Sequence, residues 1–422
     1  MSNFSKEERV AFEDVLEGFN DAMVMSHNVT VYRSDAQSME RSSDTIWRPM
    51  PYISKSFDGA DQTGNFGAYT QLSVPASIGY QKSVPWKMTT TELRDMLQEN
   101  RLGTAARQKL GSDINGSVRN VASTQGSIVI KRTSAASGYD DLAEAEASMD
   151  ELGVDQFDRI AALASRDYNG MASNLAARET MNEMPTEAYR KSYVGEVAGF
   201  NTHKLDTATR LTAAAGVTVT MNGANQYYTP LATSTAAVTG ETSNVDNRFQ
   251  TITIGVSSGT VAVGDAFTIA GVNSVHHITK EDTGQLKTFR VHEIVTGAGG
   301  AGTIKITPAI VSAGGSTLAE EIYKNVAATP ANGAAIVFLN TTTAYANPFW
   351  LKGSIELLPG TYPVPENAGI AVMRGTTDQG IELVMQKSAD IVTGLISYRF
   401  DTRYGVVNTC PEMNGIILFG QA

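Results

Sequence analysis

Ser38-Met39-Glu40-Arg41-Ser42-Ser43-Asp44-Thr45-Ile46-Trp47-Arg48-Pro49 is the stretch on which the reading of this chain turns. Its first half is polar. Its second half becomes a strand-forming run, Thr45-Ile46-Trp47-Arg48, closed by a proline. A second run, Tyr69-Thr70-Gln71-Leu72-Ser73-Val74, follows a turn-rich tip, Asp58-Gly59-Ala60-Asp61-Gln62-Thr63-Gly64-Asn65. Two β-prone runs around Gly and Asp turn chemistry predict a long β-hairpin over 44–80. Pro49, Pro51 and Pro75 each remove a ladder donor, so the hairpin belongs at an edge or runs partly unpaired. Such a ribbon is a poor core element and a good arm, with Trp47 offering apolar area to anchor its base.

Upstream, residues 5–25 predict an acidic amphipathic helix. Ser5 and Glu8 have capping-box spacing. Phe12, Val15, Leu16, Phe19, Ala22 and Met23 form one apolar stripe, with Glu13, Asp14, Glu17 and Asp21 on other faces. The stripe suits either packing on the chain's own core or docking on a neighbour, and the acidic side suits a basic partner. Downstream, Thr89 and Glu92 form a second capping-box pattern ahead of a helical signal from about 90 to 124. Leu93, Met96, Leu97, Leu110, Ile114, Val118 and Val121 keep helical spacing, while Gly103, Gly111 and Gly116 predict a bend. A spine of roughly 50 Å results.

Residues 127–200 alternate short apolar strands (127–130, 159–163) with helices (139–152, 167–183), an α/β or α+β pattern. From about 211 to 341 the composition turns to Thr, Ser, Gly, Ala and Val. Strands are expected at 218–221, 250–256, 266–269, 288–294, 303–307 and 335–339, which predicts an inserted β-barrel or sandwich. The α+β pattern then returns, with strands at 355–358, 370–373, 381–386 and 395–402 and a terminal apolar run, Gly415–Gly420.

The chain has 422 residues, enough for two to four compact units. It carries 33 Lys+Arg against 44 Asp+Glu, a net charge of −11, which argues against wrapping nucleic acid. Charged residues are only 18%, below the usual ~25%, which suits a subunit that meets many neighbours. A single cysteine, Cys410, excludes a disulfide scaffold. The opening Met1-Ser2-Asn3-Phe4-Ser5-Lys6 has no signal-peptide pattern, and no run approaches the ~18 apolar residues of a membrane span. A soluble protein of a reducing compartment is expected.

Three motif matches carry little chemistry. Gly255-Val256-Ser257-Ser258-Gly259 fits the nucleophile elbow of serine hydrolases, which needs a strand, a strained turn and a helix. Thr260-Val261-Ala262-Val263 leads instead into another strand. Gly297-Ala298-Gly299-Gly300-Ala301-Gly302 fits a phosphate-cradling loop, but Thr303–Thr307 offers no helix N-terminus to follow it, so a hairpin turn is expected. His276, His277 and His292 lack partners that would complete a metal set, and surface positions are expected for them. No enzyme, cofactor or metal is expected. A Ser257 hydrolase and a β-rich surface or tail adhesin stand as the alternatives.

The opening stretch also resembles the M-x-R-S-S-x-T-I-W-x-P segment of coat proteins from short-tailed lambdoid phages of enterobacteria. Further similarities follow in order: Pro185-Thr186-Glu187-Ala188-Tyr189-Arg190, Val197-Ala198-Gly199-Phe200, Val245-Asp246-Asn247-Arg248-Phe249 and Phe349-Trp350. The resemblance implies an α+β tailed-phage capsid (Johnson) fold with a telokin-like barrel inserted. It implies an N-terminal arm at 1–35, an extended loop at 36–85, a peripheral domain with the spine helix at 86–126 and an axial domain at 127–210 and 342–390. The barrel then spans 211–341, and C-terminal peripheral strands span 391–422. The implied function is that of a major capsid protein. Its copies form pentamers and hexamers of an icosahedral procapsid with scaffolding and portal proteins, in the host bacterial cytoplasm, and the mature shell encloses double-stranded DNA without binding it specifically. Expected assembly contacts are Glu13, Asp14 and Glu17 on the arm, and Arg41, Trp47, Asp58 and Asp61 on a loop lying across a neighbour. Glu241, Asp246 and Arg248 complete the set at the barrel loop. Asp246 and Arg248 pin that loop within the barrel, or else, as the resemblance suggests, Asp246 or Glu241 pairs across a capsomer boundary.

Overall fold

The computed structural model describes residues 4, 6–33, 45–51, 56, 58–63, 70–89, 92, 96–177, 194–215, 218–296, 300–315, 317–364 and 370–422. Arg41, the Pro185–Arg190 segment and the ribbon residues 52–55, 57 and 64–69 lie outside them. The chain forms two compact units. One comprises Met1–Ile46, Pro75–Arg119 and Ile355–Val407, and the other Trp47–Val74, Asn120–Ser354 and Asn408–Ala422.

In the first unit the strands Thr30–Val31, Ile355–Gly360, Leu395–Asn408, Glu382–Ala389 and Ala371–Thr376 lie side by side in that order, and Tyr80–Thr89 also pairs with the 395–408 strand. That ribbon runs in antiparallel register from Leu395 opposite Thr89 to Tyr404 opposite Tyr80. Aromatic pairs knit the unit: Tyr80 stacks on Tyr404 at 5.4 Å, Trp86 on Tyr398 at 5.8 Å and Phe12 on Phe400 at 6.3 Å. The strands at 355–360, 371–376, 382–389 and 395–408 thus share one sheet.

The N-terminal helix, Lys6–Ala22, buries Phe12, Val15 and Phe19, and Met23 just beyond it is also buried. The apolar stripe therefore packs on the chain's own core. The long helix runs unbroken as Met96–Gln125. Two of its glycines make room for a neighbour. A Cβ added at Gly103 would stand 2.8 Å from Val15, and one at Gly111 would stand 2.8 Å from Ala22. The missing side chains let the two helices approach, as small residues do at close helix crossings. Ahead of the long helix the capping box forms as expected: Thr89 N–H donates to Glu92 Oε2 at 2.7 Å and Glu92 N–H to Thr89 Oγ1 at 3.4 Å. Ser5, the other half of the first expected capping box, lies outside the described residues; Glu8 is buried, ion-pairs with Lys387 and accepts from the Tyr398 hydroxyl at 2.9 Å.

The second unit holds a six-stranded mixed sheet in the order Ile128–Lys131, Asn414–Leu418, Asn347–Leu351, Arg159–Ala164, Phe200–Leu205, Glu196–Val197. Helices Tyr139–Glu151 and Ser165–Ala177 bury Leu142, Met149, Tyr168 and Met171 against it, together with Phe200 and Phe349. The same unit contains a closed barrel of Thr218–Met221, Gln250–Ser258, Gly300–Thr307, Asp282–Thr296, Ala266–Val275 and Ala335–Phe338. All six expected strands are barrel strands. Their inward positions, Met221, Ile252, Ile254, Phe267, Phe289, Ile304 and Ile306, fill the interior. Closure leaves no open edge, which is how a short-stranded sheet avoids pairing with other chains. No helix is long and apolar enough to cross a membrane among the described residues.

Candidate assembly surfaces

The sequence residues expected to make contacts fall on three surfaces. On the N-terminal helix, Glu13, Asp14 and Glu17 are exposed. The helix spends its apolar face on its own unit, and Arg107 reaches over Gly18 to donate to the Asp14 carbonyl at 3.4 Å. An acidic outer face remains.

On the ribbon, strands Ile46–Pro49 and Ser73–Ala76 pair. Trp47 is half-buried near this base, while Leu72 and Val74 are buried. Tyr323 donates to the Thr70 carbonyl at 3.0 Å, and Ser73 bridges to Asp246. The returning side of the ribbon therefore makes contacts within its own chain. Asp58 and Asp61 are exposed. Asp61 accepts from the Thr63 hydroxyl at 2.6 Å and the Thr63 N–H at 3.1 Å, which holds its carboxyl below the ordinary range.

On the barrel, Thr233–Thr235 and Thr242–Asn244 form a two-stranded hairpin with every strand residue exposed, and Glu241 sits exposed at its turn. Asp246 and Arg248 meet within one chain. Arg248 Nη2 lies 2.7 Å from Asp246 Oδ2 and Nε 2.9 Å from Oδ1, a two-pronged match of guanidinium and carboxylate, while Nη1 donates to the Asn408 carbonyl at 2.8 Å. Between them, Asn247 receives the Tyr228 hydroxyl and the Leu231 N–H at 3.0 Å each and donates to the carbonyls of Leu231 and Val245. Phe249 stacks on His292 at 4.1 Å with Lys305 above it. The loop base is locked by these groups. Asn247 and Phe249, quoted only for their resemblance, do much of that locking.

One cluster escaped sequence reasoning. Glu412 Oε1 accepts from Lys287 Nζ at 2.6 Å and from Asn325 Nδ2 at 2.9 Å, and His277 Nδ1 stands 3.9 Å from Oε2. It joins the barrel to the turn Pro411–Met413 beside the mixed sheet. Nearby, Thr288 donates to the Ser127 carbonyl at 2.7 Å and His277 N–H to the Leu152 carbonyl at 2.9 Å. Burial alone would raise the Glu412 pKa, but Lys287 and the other donors outweigh it and pull it to about 2. Burial drives His277 down to about 4, only partly opposed by Glu412. His277 was expected at the surface and is buried, because its ring closes this junction. A signal was available: Lys287 shares a strand face with Phe289 and Val291, all three buried, and a lysine on an apolar face requires an anion.

Ser257 lies on the barrel strand Gln250–Ser258, and Ala266–Val275 is the next element, so the strained turn into a helix that a nucleophile elbow requires does not form. The Gly-rich loop joins two antiparallel barrel strands, with 297–299 outside the described residues.

A family profile described as "P22 coat protein - gene protein 5" matches residues 1–420. Among solved structures, the CUS-3 coat protein I-domain is 41% identical over 29% of this chain and 96% of its own, with a TM-score of 0.22. The capsid of Cyanophage P-SCSP1u is 11% identical over 94% of this chain and 87% of that one, with a TM-score of 0.43. The structure titled Mycobacterium phage Che8 is 8% identical over 92% and 88%, with a TM-score of 0.41.

Proposed function

The chain belongs to the P22 coat protein family, a phage capsid component, and on that premise we propose that its copies form pentamers and hexamers of an icosahedral shell around packaged double-stranded DNA. Assembly proceeds in the host bacterial cytoplasm with scaffolding protein and a portal, through a procapsid that matures as DNA enters. The observation that carries this reading is the match over residues 1–420, which spans the helices, both sheets and the barrel. The net charge of −11 supports it, because a shell lining that repels phosphate does not trap DNA.

The surfaces divide the labour. The exposed carboxylates Glu13, Asp14 and Glu17 dock a basic scaffolding partner, while the apolar side of their helix stays internal. The ribbon tip, with Asp58 and Asp61, reaches a neighbouring copy, and Arg41 and Trp47 serve its base. At the barrel loop, Asp246 and Arg248 are committed to each other, so Glu241 is the residue free to cross between capsomers. Each contact is weak alone, which lets errors dissociate before closure. Expression of the full chain with and without a scaffolding protein, followed by electron microscopy, tests the reading. Closed shells are expected. A small soluble oligomer or a fibre under both conditions overturns it.

A further inference from the structure

We propose that the Lys287 amine and the Asn325 side-chain amide condense into an isopeptide bond, with Glu412 carrying the protons between them. The inference goes beyond the shell-forming reading and does not depend on it, because all three residues belong to one copy of the chain.

The geometry differs from that of a plain ion pair. One carboxylate oxygen, Glu412 Oε1, accepts from both Lys287 Nζ at 2.6 Å and Asn325 Nδ2 at 2.9 Å, so a nucleophile and a leaving group are held on the same proton acceptor. The amide is fixed from its other sides. Nδ2 also donates to the Ala309 carbonyl at 2.8 Å, and Oδ1 accepts from the Val311 N–H at 2.9 Å, which settles which atom is nitrogen and which is oxygen. The backbone of Asn325 is held as well, its N–H donating to the Val311 carbonyl at 3.0 Å and its carbonyl accepting from the Val275 N–H at 3.2 Å. Lys287 is 3% and Asn325 4% exposed, and Val275, Val311 and Val326, which adjoin Asn325, are buried. Water is therefore kept from the amide, and amine and amide have little freedom left to lose before they meet.

The groups that condensation requires are in place. Lys287 and Glu412 rest as ammonium and carboxylate, while burial, which alone would favour the neutral acid, keeps proton transfer across their 2.6 Å contact within reach. Once one proton has moved from Nζ to Oε1, the free amine attacks Cγ of Asn325. The Cγ–Oδ1 double bond opens onto Oδ1, which the Val311 N–H already faces. Glu412 passes its proton to Nδ2, the Cγ–Nδ2 bond breaks and the carbonyl re-forms. Nζ gives up a second proton to the regenerated carboxylate, and that proton leaves with the ammonia as ammonium. Charge is conserved, nothing is oxidised or reduced, and Glu412 ends as it began. Lys287 lines a cleft of about 350 Å³ alongside Ile128–Lys131, which gives the ammonium a way out. The reactive neutral pair is rare beside the resting ion pair, so a freshly folded chain carries the ion pair and the link accumulates with age. Once made, it ties strand Asp282–Thr296 to the segment entering Ala335–Phe338 and closes a covalent loop, which removes conformations from the unfolded chain as a disulfide does.

The test uses the full chain, its intact mass measured directly after purification and again after prolonged incubation at neutral pH. A species lighter by one ammonia is expected to grow with age. Trypsin should then release residues 281–290 and 325–352 as one branched peptide, uncut at Lys287. Lys287→Arg keeps a cation against Glu412 but offers no amine, and its mass should stay constant. Glu412→Gln keeps amine and amide but has no proton carrier, and the link should form at least ~100-fold more slowly. Thermal melts establish that both variants are folded; where one is not, the parental mass and peptide decide alone. Constant mass in the aged parent overturns the proposal. So does ammonia loss that persists in Lys287→Arg, which assigns it to cyclisation of Asn325 onto its own backbone, and so does linking of Glu412→Gln at the parental rate. Each readout concerns a single chain, so failure of the shell-forming reading is a separate result.

Discussion

Replacing Glu412 by glutamine tests the junction that the sequence concealed. The substitution keeps the shape and removes the charge, leaving Lys287, 3% exposed in its side chain, beside a neutral amide. Two routes give the cost. Removing one partner of a buried pair typically costs about 3–5 kcal/mol, of which a retained amide hydrogen bond recovers about 1 kcal/mol. Alternatively, Glu412 is held at about 2 against an ordinary 4.5, and at about 1.4 kcal/mol per pH unit that is about 3 kcal/mol. Both routes point to a loss of about 2–4 kcal/mol at pH 7. The sign with pH follows from the depressed pKa. The folded chain favours the carboxylate, so the contribution is complete above pH 4.5 and is lost as pH falls toward 2. His277, held neutral down to about 4, works in the same direction, because the unfolded chain takes up its proton first between 6.5 and 4. Urea titrations of unassembled parent and E412Q at pH 7 and at successively lower pH measure the gap, which should narrow with acid. The double variant K287M/E412Q should recover most of the loss, because no charge is then left buried alone. A single variant within about 0.5 kcal/mol of the parent, or a double variant as weak as the single, refutes the reasoning.

Three further outcomes are expected. Gly111→Val should destabilise the first unit by about 1–3 kcal/mol in denaturant titration, because its side chain must displace Ala22 of the N-terminal helix. Asn247→Ala should cost about 2–4 kcal/mol and expose the 228–248 loop to limited proteolysis, since four hydrogen bonds converge on that amide. Burial pushes the Cys410 thiol up to about 12, so a disulfide reagent at pH 8 should label the chain only as it unfolds.

Patterns of short range were legible in the sequence. The six barrel strands follow from alternation, because inward positions such as Ile252 and Ile254 or Ile304 and Ile306 are two apart and burial selects them directly. The Thr89–Glu92 capping box and the apolar stripe from Phe12 to Met23 are equally local. Among the candidate contacts, exposure of Glu13, Asp14, Glu17 and Glu241 was readable because charged side chains seek water. What those patterns face was decided only by the tertiary structure. Gly103 and Gly111 looked like breaks in a helix until the neighbouring helix supplied the side chains that their missing Cβ atoms admit. Asp246 and Arg248 share period-two spacing in the sequence, but only the fold brings the Asn408 carbonyl to the guanidinium. Glu412 and Lys287 are separated by 125 residues, and their attraction exists only because the barrel strand and the C-terminal turn share one low-dielectric junction. Periodicity records which residues leave water, whereas the partner each one meets depends on contacts formed far along the chain, and a local pattern carries no record of those.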